Sequence, residues 1–287
     1  MQLTLTVTLF IAALAAAARS TWSPCGWSML STITPLAERS RRHRWSVTVT
    51  WFITGAFVGG SALGAIGALG ALVTRQVGIG LDIRLGFAAL AAVLAAAVDA
   101  GAVGPPLPHL RRQVDERWLD EFRPWVYGCG FGLQIGFGLV TYIMTSGLYL
   151  TLILAALTAS PTVAGFGGLC FGATRGAAVL LGIGNRTPDQ LAAFHRTFAS
   201  VEQRARWAVV ATFGAIGAVL AAAGFGPAGS AAALAALIAV GVRVASVRSV
   251  GPVGSAGYES GPTVTPDRAS FSIATSDERR ASDPTTA

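Results

Sequence analysis

The sequence predicts an all-α, polytopic integral membrane protein with six to seven transmembrane helices. Charged residues make up 12% of the 287 residues, about half the share usual in soluble domains. Apolar runs recur along the chain at lengths near the roughly 20 residues that a helix needs to cross a bilayer. Arginines cluster between these runs instead of spreading over amphipathic faces. Together these three observations indicate membrane spans joined by basic loops.

The basic residues limit the classes of function. All 21 are arginine, which excludes a lysine-dependent phosphate loop and Schiff-base catalysis. No hydrolase or transferase signature is present, and no cofactor is predicted. The net charge of +7 reflects loop arginines that orient a membrane protein, so we expect membrane lipid, and no nucleic acid, as a partner. The histidines lack carboxylate or cysteine partners at ligand spacing, so no metal site is predicted.

Two apolar segments are longer than one crossing requires. Residues 3–36 include an arginine and two prolines, and residues 125–159 are interrupted in the middle by glycine, threonine and serine. We therefore expect the first and fourth transmembrane helices to be broken. Because each is followed by two ordinary spans, the pattern predicts two three-helix inverted repeats.

The remaining spans are predicted as uninterrupted helices. They comprise residues 47–73, 81–103, 162–183 and 207–225, with a weaker seventh candidate at 228–247, which Arg243 interrupts. In the second span, Gly55, Gly59, Gly60 and Gly64 are spaced to let other helices approach closely. Residues 104–124 have the pattern of an amphipathic helix at the membrane surface.

The composition divides the chain into a transmembrane domain, residues 1–247, and a tail, residues 248–287, whose serine, threonine, proline and glycine content predicts disorder. Three loops hold twelve arginines, and the intervening links hold two. The positive-inside rule then predicts a multi-pass protein of the plasma (inner) membrane, with its N-terminus outside and its tail in the cytoplasm.

Polar residues within the spans are the candidates for function. Arg175 lies well inside the fifth span, where a charge usually faces the bundle interior or a water-filled cavity. Gln134 and Thr141 belong to the broken fourth helix. These three residues could form an intramembrane polar path. Cys25, Cys129 and Cys170 lie in apolar surroundings, which is not typical of a secreted disulfide framework.

The sequence Ser23-Pro24-Cys25, followed by Leu30, Pro35 and a basic loop, resembles the first span of the CcdA/DsbD family of thiol-disulfide membrane proteins involved in cytochrome c biogenesis. Residues 136–143 resemble the fourth span of that family. The resemblance implies that reducing equivalents pass across the membrane, from a cytoplasmic thioredoxin-like donor to an extracytoplasmic thiol protein. Cys25 would be the first catalytic thiol.

The position of the second thiol departs from the family pattern, because the fourth-span slot reads Thr141-Tyr142-Ile143. The partner of Cys25 would then be Cys170 or a thiol on another protein. Counting helical rises places Cys170 about 12 Å and Cys25 about 9 Å from the outer edge of the membrane. These depths are compatible with a Cys25–Cys170 pair.

Two other functions remain open from the sequence. The same inverted-repeat framework could serve a small-solute exporter without redox activity, using Gln134, Thr141 and Arg175 as its path. The missing second cysteine favours this alternative, and the Ser-Pro-Cys element favours thiol transfer. A structural membrane partner without turnover is the third hypothesis.

Overall fold

The structure is a computed structural model that describes residues 1–103 and 117–249, in which every regular element is helical. In chain order the helices are α1 (Gln2–Ser20), α2 (Pro24–Thr32), α3 (Pro35–Ser40), α4 (Trp45–Val77), α5 (Leu81–Ala100), α6 (Trp118–Glu121), α7 (Pro124–Phe137), α8 (Gly147–Leu157), α9 (Pro161–Ala177) and α10 (Pro188–Ser249). A 3₁₀ helix, Ala178–Gly184, continues α9.

The described residues contain five helices that are long and apolar enough to cross a membrane, and α8 is a shorter apolar helix. Large apolar side chains such as Leu69, Phe87 and Ile238 are more than half exposed on these helices, as expected where helices face lipid. The chain is therefore a multi-pass integral membrane protein.

The helix ends gather on two faces of the bundle. On the first, here called the turn face, the side chains of Gln2 and Arg84 donate hydrogen bonds to the backbone carbonyl of Thr158 at 2.6 and 3.3 Å. This contact joins the start of α1, the start of α5 and the end of α8. On the opposite, arginine-rich face, the amide of Leu36 donates to the carbonyl of Asn185 at 3.1 Å, which joins α3 to the linker before α10.

Helix α4 is the centre of the packing because its glycines admit two neighbouring backbones. A Cβ atom at Gly55 would lie 2.1 Å from the carbonyl oxygen of Cys129 on α7, and one at Gly64 would lie 2.4 Å from the carbonyl oxygen of Gly165 on α9. Such contacts are possible only with hydrogen in place of a side chain. The close approach that the glycine spacing predicts is present in the structure.

Helix α10 consists of two arms that fold into a hairpin. The break lies at Gly226, whose φ of 62° favours glycine, and Pro227 begins the second arm. Leu237 packs on Gly214, and Val244 lies in one cluster with Trp207. The second arm thus runs antiparallel to the first. The seventh apolar segment of the sequence is a helix that continues to Ser249.

Both long apolar segments are broken. The first is interrupted at residues 21–23 and again at 33–34, and the fourth at residues 138–146. The two three-helix inverted repeats stay a prediction. Most of the predicted surface helix, residues 104–116, and the predicted tail from residue 250 onward lie outside the described residues.

Candidate functional site

The polar site is built around residues 138–146, the segment between α7 and α8, here called the α7–α8 break. Helix α7 ends at Gly138, which has a φ of 75°. A Cβ atom there would lie 3.0 Å from the ring of Phe171 on α9. Glycine therefore permits both the turn of the chain and its contact with α9. The break leaves a stretch of non-helical backbone inside the bundle.

Asp99, near the end of α5, binds the α8 end of the break. Its carboxylate accepts hydrogen bonds at 2.8 Å from both the amide and the hydroxyl of Ser146, and a further one from the hydroxyl of Thr145. The hydroxyl of Thr145 is also 3.1 Å from the amide of Gly147. A carboxylate at this position satisfies free amides and faces the positive end of the α8 dipole.

Arg175, on α9, binds the other end of the break. Its Nη1 donates to the hydroxyl of Thr141 at 3.4 Å, and that hydroxyl donates to the carbonyl of Gly138 at 3.1 Å. The guanidinium also lies 5.8 Å from the centre of the Phe171 ring. A cation is favourable here because the C-terminal end of α7 carries the negative end of its dipole.

In the part of the chain that the structure describes, the charge of Arg175 has no partner of opposite sign. The side chain is 3% exposed, and its Nη2 has no hydrogen-bond acceptor among the described residues. None of the ion pairs within residues 1–103 and 117–249 includes Arg175. A buried guanidinium with a free donor is costly in a membrane interior. It is also well suited to bind an oxygen anion, since its N–H groups match carboxylate and phosphate geometry.

Cys25 belongs to the same site. It is buried in the first turn of α2, immediately after Ser23, whose hydroxyl accepts the amide of Gly26 at 3.2 Å. Its thiol lies within electrostatic range of the Arg175 guanidinium. The structure therefore brings the first broken helix to the second, because Cys25 and Thr141 both lie near Arg175.

The other candidate residues are placed differently. Gln134 is half-buried on α7 and forms no hydrogen bond with Thr141 or Arg175. Cys170 is half-buried one turn before Thr174 on α9, and in the described part of the chain Cys25, Cys129 and Cys170 form no disulfide. The predicted roles of Gln134 in a polar path and of Cys170 as the redox partner of Cys25 stay predictions.

Sequence reasoning missed three charged residues that the bundle buries wholly or in part. Asp99 was not recognised as a site residue, although a carboxylate inside an apolar run is itself a signal of function. Arg19 is 6% exposed and pairs with Glu202 at 3.4 Å. Glu38 adjoins the first arginine cluster of the sequence, yet it is fully buried.

The buried Glu38 joins three helices at the arginine-rich face of the bundle. Its carboxylate accepts hydrogen bonds from the hydroxyl of Tyr127 at 2.8 Å and from that of Thr48 at 2.6 Å, and Arg41 pairs with it at 3.5 Å. Helices α3, α4 and α7 therefore meet at one carboxylate. Its acceptors are already used, so we regard this cluster as structural.

Fold and site together define a multi-pass helical membrane protein with a polar site at a broken helix. The sequence is similar to curated proteins named methylamine utilization protein MauF. The protein of Paracoccus versutus is 33% identical over 155 residues, 52% of this chain and 55% of that protein. Those of Methylorubrum extorquens and Paracoccus denitrificans are 33% identical over 152 and 156 residues, covering 49% and 51% of this chain and 50% and 53% of the relatives.

The chain spans about half the length of these curated relatives. No protein-family model matches the sequence. No solved structure matches it either.

The assignment to the CcdA/DsbD family is wrong, because relatives at about 33% identity carry the MauF name instead. The structure supplies a physical reason for the error. In Ser23-Pro24-Cys25 the serine caps α2 and the proline occupies its first turn. Serine and proline are common at any helix start, so the element is not specific to thiol transfer. Neither transmembrane thiol transfer nor a role in cytochrome c biogenesis is supported.

Proposed function

We propose that this protein moves a small anionic solute across the membrane through a site centred on Arg175, and that it serves methylamine utilization, the process for which its relatives are named. The observation that carries the proposal is the buried guanidinium whose Nη2 has no acceptor. An anionic oxygen of a solute would supply that acceptor and neutralise the charge. Of the three functions predicted from the sequence, this is the solute exporter, whose outward direction stays a prediction.

The α7–α8 break supports the proposal because non-helical backbone within a membrane is stable where it lines a cavity or is buried in protein. Discontinuous helices at mid-membrane are a feature of many solute transporters. Here Arg175 binds one end of the break by a hydrogen bond to Thr141, and Asp99 binds the other end by hydrogen bonds from Ser146. A movement of the break would change both contacts. Binding of an anion at Arg175 would therefore be coupled to movement of the broken helix.

Methylamine itself does not suit this site. An aliphatic amine is a cation at neutral pH, as the lysine side chain is. Arg175 would repel it, since like charges interact strongly in a low dielectric. The carboxylate of Asp99 already accepts three hydrogen bonds. The cargo is therefore an anion connected with methylamine metabolism and not the methylammonium ion.

The distribution of arginines supports a position in the plasma (inner) membrane with the arginine-rich face toward the cytoplasm. Arg39, Arg42 and Arg44 all lie on this face, and Arg75 is close to the turn face. The positive-inside rule then places the N-terminus outside. Reporter fusions after residue 79 and after residue 186 test this arrangement. The first should report the exterior and the second the cytoplasm, and the reverse result would contradict it.

Transport is tested with purified protein in liposomes, by measuring uptake of radiolabelled formate, acetate and phosphate. Arg175→Gln should lower the uptake of the transported anion at least about tenfold, because a hydrogen bond to a buried charge is lost. Its unfolding temperature should stay within about 4 °C of wild type, since within residues 1–103 and 117–249 Arg175 has no acidic partner that the change would leave unpaired.

Cys129→Ala is the matched control, because Cys129 lies on α7 and outside the contacts of Arg175. It should transport as wild type does. Uptake of methylammonium without uptake of any anion would overturn the proposal. Equal anion uptake by wild type and Arg175→Gln would do the same, because Arg175 would then have a structural role and not bind the solute.

A further inference from the structure

A second basic site lies on the arginine-rich face, away from the α7–α8 break. It is a pocket of about 370 Å³ whose lining includes the following residues: Pro35, Arg39, Trp45, Ile183 and Arg186. These residues come from α3, from the start of α4, from the 3₁₀ helix that continues α9 and from the linker before α10. The chain thus brings together at one pocket two arginines that are far apart in sequence.

Contacts around the pocket hold its walls in place. The indole N–H of Trp45 donates to the carbonyl of Ile33 at 3.3 Å. The amide of Leu36 donates to the carbonyl of Asn185 at 3.1 Å, which fixes the segment that precedes Arg186 against α3. The pocket is therefore largely formed before a ligand arrives, which lowers the entropic cost of binding.

The two arginines of the pocket are free to bind an anion. The side chains of Arg39 and Arg186 are exposed and, in the described part of the chain, form neither a hydrogen bond nor an ion pair. Arg41 differs, because it pairs with Glu38. That carboxylate is fully buried and holds Tyr127. Two free guanidinium groups at one pocket match the geometry and charge of a phosphate.

The position of the pocket indicates a lipid as the source of that phosphate. Trp45 is the first residue of the 33-residue apolar helix α4, and tryptophan is typical of the boundary between hydrocarbon and water. Ile183 exposes its apolar side chain in the lining of the pocket. A headgroup phosphate in the pocket would leave the acyl chains against this apolar surface, as in other basic pockets between helices at the membrane surface.

We propose that the pocket between Arg39, Trp45 and Arg186 binds the phosphate of an anionic phospholipid headgroup. The bound lipid would link α3 and α4 to the linker before α10 on the arginine-rich face. This site does not depend on solute transport, because Arg175 and the α7–α8 break take no part in it.

Binding is tested with full-length protein in a neutral detergent, by titrating short-chain phosphatidylglycerol and measuring the retained lipid by native mass spectrometry. The double variant Arg39→Gln/Arg186→Gln should bind this lipid at least about tenfold more weakly than wild type, since each arginine contributes to the attraction. Short-chain phosphatidylcholine, which carries no net charge, should bind weakly to every variant.

Arg42→Gln/Arg44→Gln is the matched control, because it removes the same charge from exposed residues of the same face that lie outside the pocket lining. Its affinity should stay within about twofold of wild type. An equal loss in both double variants would mean that the basic face attracts lipid without a site, which overturns the proposal. Inorganic phosphate that displaces the lipid at equal concentration would identify a site for free phosphate and would also overturn it.

Discussion

The two broken helices of this protein are maintained in different ways. At residues 21–23 the backbone is held by local contacts: Ser23 caps the next helix, and its amide donates to the carbonyl of Ser20 at 3.1 Å. The side chain of Trp22 adds a distant contact, since its indole N–H donates to the carbonyl of Phe198 on α10 at 2.9 Å. At the α7–α8 break the contacts come from distant helices, through Arg175 on α9 and Asp99 on α5. The backbone of the first break is capped by its own sequence, whereas both ends of the second are bound by residues of other helices.

This difference indicates where movement and binding can be coupled. A locally capped turn keeps its backbone hydrogen bonds when its neighbours shift, since those donors and acceptors lie within a few residues. The α7–α8 break is bound by a cation on α9 at one end and by an anion on α5 at the other. Its conformation therefore changes whenever α9 or α5 shifts. The α7–α8 break is thus the element that a bound anion at Arg175 can influence.

The largest effect on stability is expected from Asp99→Ala, because the change removes an acceptor from Thr145 and Ser146 and leaves the start of α8 without an anion. Hydrogen bonds to a charged group contribute enough that we expect a loss of about 3 kcal/mol in the free energy of unfolding. Reversible unfolding in mixed micelles would measure it.

Asp99→Asn is the control for this prediction. It keeps one acceptor oxygen toward the amide of Ser146 and loses the charge, so its loss should be clearly smaller than that of Asp99→Ala. If Asp99→Ala unfolds as wild type does, the α7–α8 break does not depend on its distant contacts, and the contrast between the two breaks fails.

A smaller effect is expected from Ser23→Ala, which removes the side-chain cap of α2. Losing an N-cap hydroxyl typically costs about 1 kcal/mol, and we expect the same decrease in the free energy of unfolding here. Hydrogen exchange should show faster exchange of the Gly26 amide, with no change at the amides of Ser146 and Gly147.

The matched control is Ser61→Ala, because the hydroxyl of Ser61 is exposed in mid-α4 and donates only to the carbonyl of Phe57. Its free energy of unfolding should be close to that of wild type. Faster exchange at Ser146 in the Ser23→Ala protein would show that the first break also controls the second.

Several features of the fold follow from local properties of the sequence. The breaks near Pro24 and Gly138 could be predicted because proline and glycine limit a helix in any context. The close packing at Gly55 and Gly64 followed from residue size and spacing. The Ser-Pro-Cys element misled the functional prediction for the same reason, since a helix start is a local structure that unrelated proteins share.

The sequence by itself determined that the chain crosses a membrane, since the length of an apolar run sets the cost of leaving it in water. It also identified Arg175 and Thr141 as polar residues within the spans. Only the tertiary structure decided that these two meet, that Asp99 binds the start of α8 and that Glu38 is buried. A hydrogen bond across 34 or 47 residues depends on how whole helices pack, which no short stretch of sequence encodes.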